Sequence, residues 1–186
     1  FRFPRCSPML LIIDNFDSKR IPLSSREREK RQGQYPYHGA AGVMDFIDDY
    51  IFDGEYLLMG EDGTVTDSNG FPILQYVWGK FWVNNHAHII RGKEGIPLIY
   101  LFLLLKNTNV SHIVTGAVQP KINQRNMNSV EIIIPDKKTL SNFNHITSVL
   151  YSLFKNNTEE NNSLVAIRDS LLPRLMSGKI RVNMGV

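Results

Sequence analysis

A single cysteine, Cys6, stands in the whole 186-residue sequence. One thiol can form neither an internal disulfide nor a cysteine-cluster zinc site, which predicts a reducing, cytoplasmic setting. Long apolar runs are lacking as well. The longest, Ile96 to Leu105, falls short of the roughly 20 residues that a bilayer span requires. Pro8 to Ile13 is too short for a signal-peptide core and runs straight into Asp14, so no membrane partner is expected. No repeat recurs along the chain, which argues against a solenoid. Catalytic motifs are missing too. Gly79-Lys80, Gly92-Lys93 and Gly178-Lys179 are followed by Phe81, Glu94 and Ile180 rather than Ser or Thr, so no phosphate-cradling loop is present. There is no G-x-S-x-G elbow, no G-x-G-x-x-G and no P-D…E-x-K nuclease pattern. The Asp/Asn-Pro-Pro-Tyr tetrapeptide of amino-methyltransferases is absent, and Tyr35-Pro36-Tyr37 does not replace it. No catalytic residue and no cofactor is expected.

What is present is a core. Hydrophobic residues make up 42% and aromatics 10%, which supports one globular domain with a modest extension. The net charge of +3 conceals an uneven layout. Asp45, Asp48, Asp49, Asp53, Glu55, Glu61, Asp62 and Asp67 fall in one stretch without Lys or Arg, so the remainder carries +3 − (−8) = +11. Lys19, Arg20, Arg26, Arg28, Lys30 and Arg31 cluster against only Glu27 and Glu29. Such a run is either a solvated face or a strip of phosphate contacts, since Lys and Arg gain affinity by displacing condensed counterions.

Local patterns predict an α+β domain over residues 1–137. Leu10 to Ile13 is a strand candidate, and Ser24 or Ser25 could cap a short helix over Arg26 to Arg31. From Tyr35 to Gly79, short apolar runs alternate with turn signals such as Glu61-Asp62-Gly63 and Ser68-Asn69-Gly70, a meander of strands that includes Tyr56 to Met59. Phe81 to Arg91 reads as one strand with Trp82, Asn84, His86, His88 and Ile90 on a shared face. A buried helix is expected over Pro97 to Lys106, with strands over His112 to Val118 and Val130 to Ile134.

The chain changes character after Pro135. A helix over 138–176 is expected, with Phe143, Ile146, Leu150, Leu153, Leu164, Ile167 and Leu171 at 3-4 spacing and a tail over 177–186. Asn157 and Glu160 interrupt the seam, so two helices broken around 156–162 are the alternative. Unbroken, the helix would be roughly 50 Å long and would need a partner helix along its apolar face.

Several residues suit nucleic acid, each with a structural reading beside it. Gly116 permits close backbone approach, Gln119 can pair with adenine, and Lys121 and Arg125 suit phosphates or guanine; an ordinary strand-to-loop corner would look the same. Lys19, Arg20, Lys30 and Arg31 suit phosphates. Tyr37 and His38 could insert at a groove or sit in the core, as Trp78 and Trp82 should. Asn84 and Asn85 could read base edges or satisfy their own backbone. His86 and His88 could serve a metal-dependent hydrolase, although two histidines without a clear third ligand more simply play structural or surface roles.

A set of ordered segments resembles the specificity subunit of type I restriction–modification systems. They are Asp17-Ser18-Lys19-Arg20-Ile21-Pro22-Leu23-Ser24, Tyr35-Pro36-Tyr37-His38-Gly39-Ala40, Asp53-Gly54-Glu55-Tyr56-Leu57-Leu58 with Gly60-Glu61-Asp62-Gly63, and Trp82-Val83-Asn84-Asn85-His86-Ala87-His88. Thr115-Gly116-Ala117-Val118-Gln119-Pro120-Lys121-Ile122, Ile132-Ile133-Ile134-Pro135 and Arg168-Asp169-Ser170-Leu171-Leu172-Pro173-Arg174-Leu175-Met176-Ser177-Gly178 complete it, over about residues 14 to 182. The resemblance implies a target-recognition domain with a twisted, mostly antiparallel sheet and few helices, followed by a coiled-coil-type spacer helix. It implies double-stranded DNA as ligand, with catalysis left to partner methyltransferase and restriction subunits. Such subunits usually carry two recognition domains and two antiparallel helices. One domain and one helix therefore imply either half of a longer subunit or a half-length version that pairs with itself. A non-catalytic scaffold or oligomerisation module is the competing reading of the helix.

Overall fold

A computed structural model describes residues 5–93 and 95–180. The first four residues of the expected domain and the last six of the expected tail lie outside the described residues. The elements in chain order are β1 (Arg5–Pro8), β2 (Ile13–Asn15), α1 (Ser25–Lys30), β3 (Gln32–His38), β4 (Val43–Ile47), β5 (Phe52–Asp53), β6 (Tyr56–Gly60) and β7 (Leu74–Val77). Then follow β8 (Lys80–Val83), β9 (Ala87–Gly92), α2 (Leu98–Lys106), α3 (Gln124–Asn128), β10 (Glu131–Ile134) and α4 (Lys137–Met176). The fold is mixed α and β with mainly antiparallel sheets, few helices and a long C-terminal helix.

One sheet has the order β2-β9-β6-β7, a second β4-β3-β8-β5, and β1 pairs with β10. Every pairing between these strands is antiparallel except β3 with β8. The uninterrupted apolar run of β6 follows from its place inside a sheet with both faces covered. Leu57 and Met59 enter one core with Ile13, Ile90, Leu101, Leu105 and Ile122. Tyr56 and Leu58, pointing the other way, join Phe52, Val77, Phe81, Val83 and Ile89. Each fully buried Leu or Ile of this kind contributes roughly 1.5–3 kcal/mol.

The helix starts are written in the sequence. Ser24 forms a full capping box with Glu27 ahead of α1. Ahead of α4, Asp136 Oδ1 accepts from the backbone N–H groups of Lys138 and Thr139, at 3.0 and 3.1 Å.

Three expectations are corrected. Leu10 lies in a 3₁₀ turn, Met9–Leu11, and the strand begins only at Ile13. Phe81 to Arg91 is two strands in different sheets, because the Asn84 side-chain oxygen accepts from the His86 N–H at 2.8 Å and turns the chain. His112 to Val118 forms no strand. A 3₁₀ turn at Ser111–Ile113 is followed by a tight excursion in which Thr115 and Lys121 exchange backbone hydrogen bonds at 2.7 and 2.8 Å.

The chain divides into two compact units, Phe1–Asn144 and His145–Val186. All strands and the first turns of α4 belong to the first unit. Helix α4 is continuous, without the break that Asn157 and Glu160 would have allowed, and both of those residues are exposed. No helix among the described residues is long and apolar enough to cross a membrane.

Candidate nucleic-acid interface

Three connecting segments meet at the end of β6 in the first unit. The Glu61 N–H donates to the His86 carbonyl at 2.8 Å, the Ile122 N–H to the Glu61 carbonyl at 2.8 Å, and the Gly63 N–H to the Pro120 carbonyl at 3.0 Å. The turn after β8, the turn after β6 and the 115–122 excursion are thereby stitched together. The 39–42 turn lies alongside: a side chain at Gly60 would touch the Ala40 carbonyl, and Gln75 Nε2 donates to the Gly39 carbonyl at 2.9 Å.

Gly116 has φ +88°, and a Cβ there would collide with the Gln119 carbonyl, so the tip depends on glycine. Gln119, Lys121 and Arg125 are exposed, as is Asn85 on the neighbouring turn. Lys121 Nζ also lies 3.6 Å from Glu61 Oε1. His86, beside Asn85, pairs through Nδ1 with Asp62.

Other expected contacts point inward. Tyr37 is only 1% exposed and packs with Ile47 and Trp82, its hydroxyl accepting from the Leu23 N–H at 3.0 Å. His38 is buried, with Nδ1 on Gln75 Oε1 at 2.9 Å and its ring edge-on to Phe81. Burial pushes its pKa below the ordinary range, and the Gln75 hydrogen bond only partly opposes this. Asn84 is buried and serves the His86 backbone rather than the surface.

The basic run folds onto the acidic stretch. Arg20 sits 2.6 Å from Glu61, Arg28 3.2 Å from Asp45, and Arg31 2.9 Å from Asp48 and 3.4 Å from Asp49. Arg20 and Arg31, expected at phosphates, are thus committed to ion pairs. Arg31 also lies over the Trp82 ring. Lys19, Arg26 and Lys30 make no ion pair with the described residues and stay exposed.

Sequence reasoning missed a buried polar centre behind this surface. His88, with a side chain 1% exposed, places Nδ1 2.6 Å from Asp17 Oδ2 and Nε2 2.8 Å from the Ile122 carbonyl. Asp17 Oδ1 accepts from the Ile89 N–H at 2.8 Å. Burial would raise the Asp17 carboxyl, but the His88 and Ile89 hydrogen bonds outweigh it and hold it below the usual carboxylate range. Asp17, Glu61 and His88 offer three ligand-type atoms within 4.8 Å of one another. Within the group, Arg20 Nη1 donates to Glu61 Oε2, and the two His88 nitrogens face Asp17 and the Ile122 carbonyl. His86 and His88 do not converge on one point, because His86 turns to Asp62 and His88 to Asp17. The polar alternation Asn84-His86-His88 was the available signal, hidden by reading one continuous strand.

Along α4, Ile146, Leu150, Leu153, Leu164, Ile167 and Leu171 are all exposed, accompanied by Val149, Phe154 and Leu175, which the 3-4 pattern omitted. Phe143, expected on the same seam, instead lies half-buried with its ring edge-on to Tyr100 in the first unit.

The family described as type I restriction modification DNA specificity domain matches residues 12–166. A Haemophilus influenzae protein named as a type I restriction enzyme specificity subunit is 31% identical over 128 residues, covering 69% of this chain and 32% of that protein. The MjaIX type I restriction enzyme specificity subunit of Methanocaldococcus jannaschii is 30% identical over 146 residues, covering 74% of this chain and 34% of the subunit. The crystal structure of the type I restriction-modification S subunit from M. genitalium shares the fold, with a TM-score of 0.66 at 17% identity over 94% of this chain and 46% of that one. The chain thus spans about a third of the length of these curated relatives.

Proposed function

The chain belongs to the type I restriction modification DNA specificity domain family, and from that membership we propose that its first unit reads double-stranded DNA sequence-specifically and catalyses nothing itself. The observation that carries this reading is the stitched loop cluster, in which Asn85, Gln119 and Lys121 are exposed, with Arg125 exposed on α3 just beyond it. Amide side chains suit base edges and cations suit phosphates or guanine. Lys19 and Lys30 add phosphate contacts. Partner methyltransferase and restriction subunits, acting in the cytoplasm, supply the chemistry.

The exposed apolar seam of α4 supports a second element of the proposal. It pairs with another spacer helix, from a second copy or a second half, and so sets the gap of a split target. A pure scaffold would use the same seam but bind no DNA.

Methylation mapping in cells that carry this chain with its modification subunit tests the reading. Methylation at one split motif, lost when the chain is deleted, is the expected result. Methylation without sequence preference overturns it. A symmetric motif identifies self-pairing, and an asymmetric one a second, different domain.

A further inference from the structure

We propose that His88 is a positioning residue for target reading, tying the Thr115–Lys121 excursion to the sheet through a single buried ring; this rests on the DNA-reading assignment above. Residues 115–121 are all exposed, and Gly116 takes a positive φ. The base of the excursion is closed by the Thr115–Lys121 bonds and held to the rest of the unit by backbone bonds to Glu61 and Gly63, by the Lys121–Glu61 pair, and by the buried His88, whose Nε2 lies 2.8 Å from the Ile122 carbonyl.

The chemistry of that bond is specific. A carbonyl only accepts, so the Ile122 link uses the proton on Nε2, while Nδ1 faces Asp17 Oδ2 at 2.6 Å. The ring thereby bridges the 3₁₀ turn at Asp17–Lys19 to the excursion across β9. The charged groups around it are Asp17, Glu61 (3.7 Å from Nδ1), Arg20 on both acids, and Lys121 on the far oxygen of Glu61. With the ring held on Asp17 and Lys121 on Glu61, the excursion is fixed in one register, and the side chains at 119 and 121 meet the duplex from defined positions. Placement of a reading group by a rigid supporting shell is worth more than the group alone.

Two substitutions separate this role from the general cost of losing a buried histidine. In His88→Gln the amide nitrogen falls near the place of Nε2 and can keep the Ile122 link. In His88→Asn it falls near the place of Nδ1 and keeps only the Asp17 link. The full chain, purified with its modification subunit, is used to select from a pool of random-sequence duplexes, and amide hydrogen exchange is followed over residues 115–122 without DNA. The expected result for His88→Asn is enrichment of the target reduced at least tenfold and exchange in 115–122 accelerated at least tenfold. His88→Gln stays within threefold of the parent in both. Equal behaviour of the two variants overturns the proposal. Should neither variant fold, Asp17→Asn takes their place, with faster exchange in 115–122 expected and unchanged exchange overturning it. If the parent complex enriches no sequence, the DNA-reading assignment fails, while the exchange contrast still decides whether His88 holds the excursion.

Discussion

Arg20 and Glu61, 41 residues apart in sequence, meet in a 2.6 Å ion pair with both side chains largely withdrawn from solvent. The same guanidinium donates from Nε to the Asp17 carbonyl at 3.1 Å and from Nη1 to the Ala87 carbonyl at 2.8 Å. Removing the guanidinium would take the direct 2.6 Å partner from Glu61 Oε2 and leave Lys121, 3.6 Å from Oε1, as the nearest cation. A fully buried pair broken from one side costs about 3–5 kcal/mol, and the residual exposure here brings the expectation to roughly 2–3 kcal/mol. Arg20→Gln should therefore lower the urea midpoint of the chain with its slope unchanged. A midpoint equal to the parent's would show that the pair is no more than a surface contact.

The charge layout is where sequence reasoning and structure diverge most. Arg28 and Arg31 reach Asp45, Asp48 and Asp49, so the basic run and the acidic stretch are two sides of one pairing rather than separate faces. One-dimensional charge counting cannot see a partner 17 residues away. Elements with a local cause were legible: the capping box at Ser24, the doubly covered β6 and the apolar α2 each carry their signal within a few residues. The strand break at Asn84 was not, because its cause is a side-chain-to-backbone bond that leaves the polar–apolar alternation intact. The loop character of the chain from Gln119 was legible from Pro120, but residues 116–118 read as the end of a strand and instead form part of the exposed tip. The burial of Tyr37 was decided by Leu23, Ile47 and Trp82 packing around it, and that of Asn84 by contacts such as Met44, partners distant in sequence that no local pattern encodes.

Lys30 and Gln119 should respond differently to substitution. Lys30 sits exposed in the last turn of α1. Lys30→Ala should weaken binding to target and random duplexes alike and reduce the salt slope by about 1, as loss of one phosphate contact requires. Gln119→Ala should leave the slope alone and relax preference at one base position, by about 1–3 kcal/mol. Binding isotherms across a salt series on target and scrambled duplexes make the distinction. Identical effects of the two substitutions would contradict it.

Stability should fall in mild acid because of His38. Its folded pKa is depressed by burial below the ordinary 6.5, so the unfolded chain binds that proton more tightly. The sign follows: His38 contributes stability fully above pH 6.5, and this is lost as pH falls from there through the lower folded value. Asp17, also depressed, adds a second loss beginning only as pH approaches its ordinary 3.8. The melting temperature of His38→Gln should thus change less than the parent's between pH 7.5 and 5. Parallel profiles for the two proteins would rule out His38 as the source.

Leu150 and Leu164 offer the cleanest test of helix pairing, since they are 59% and 55% exposed and support nothing else that is described. Surface substitutions of that kind shift the stability of the unit carrying them by about 0.5 kcal/mol or less. In a paired helix the same leucines would be buried, each contributing roughly 2 kcal/mol. Replacing both by glutamate should therefore cost about 4 kcal/mol of association, near a thousandfold in the dissociation constant. Sedimentation velocity over a concentration series measures the association, and the unfolding transition of the first unit serves as the control. Weakened association with an unchanged transition is the expected outcome. Association as tight as the parent's would remove this seam from the interface and leave the exposed apolar face of α4 without its proposed role.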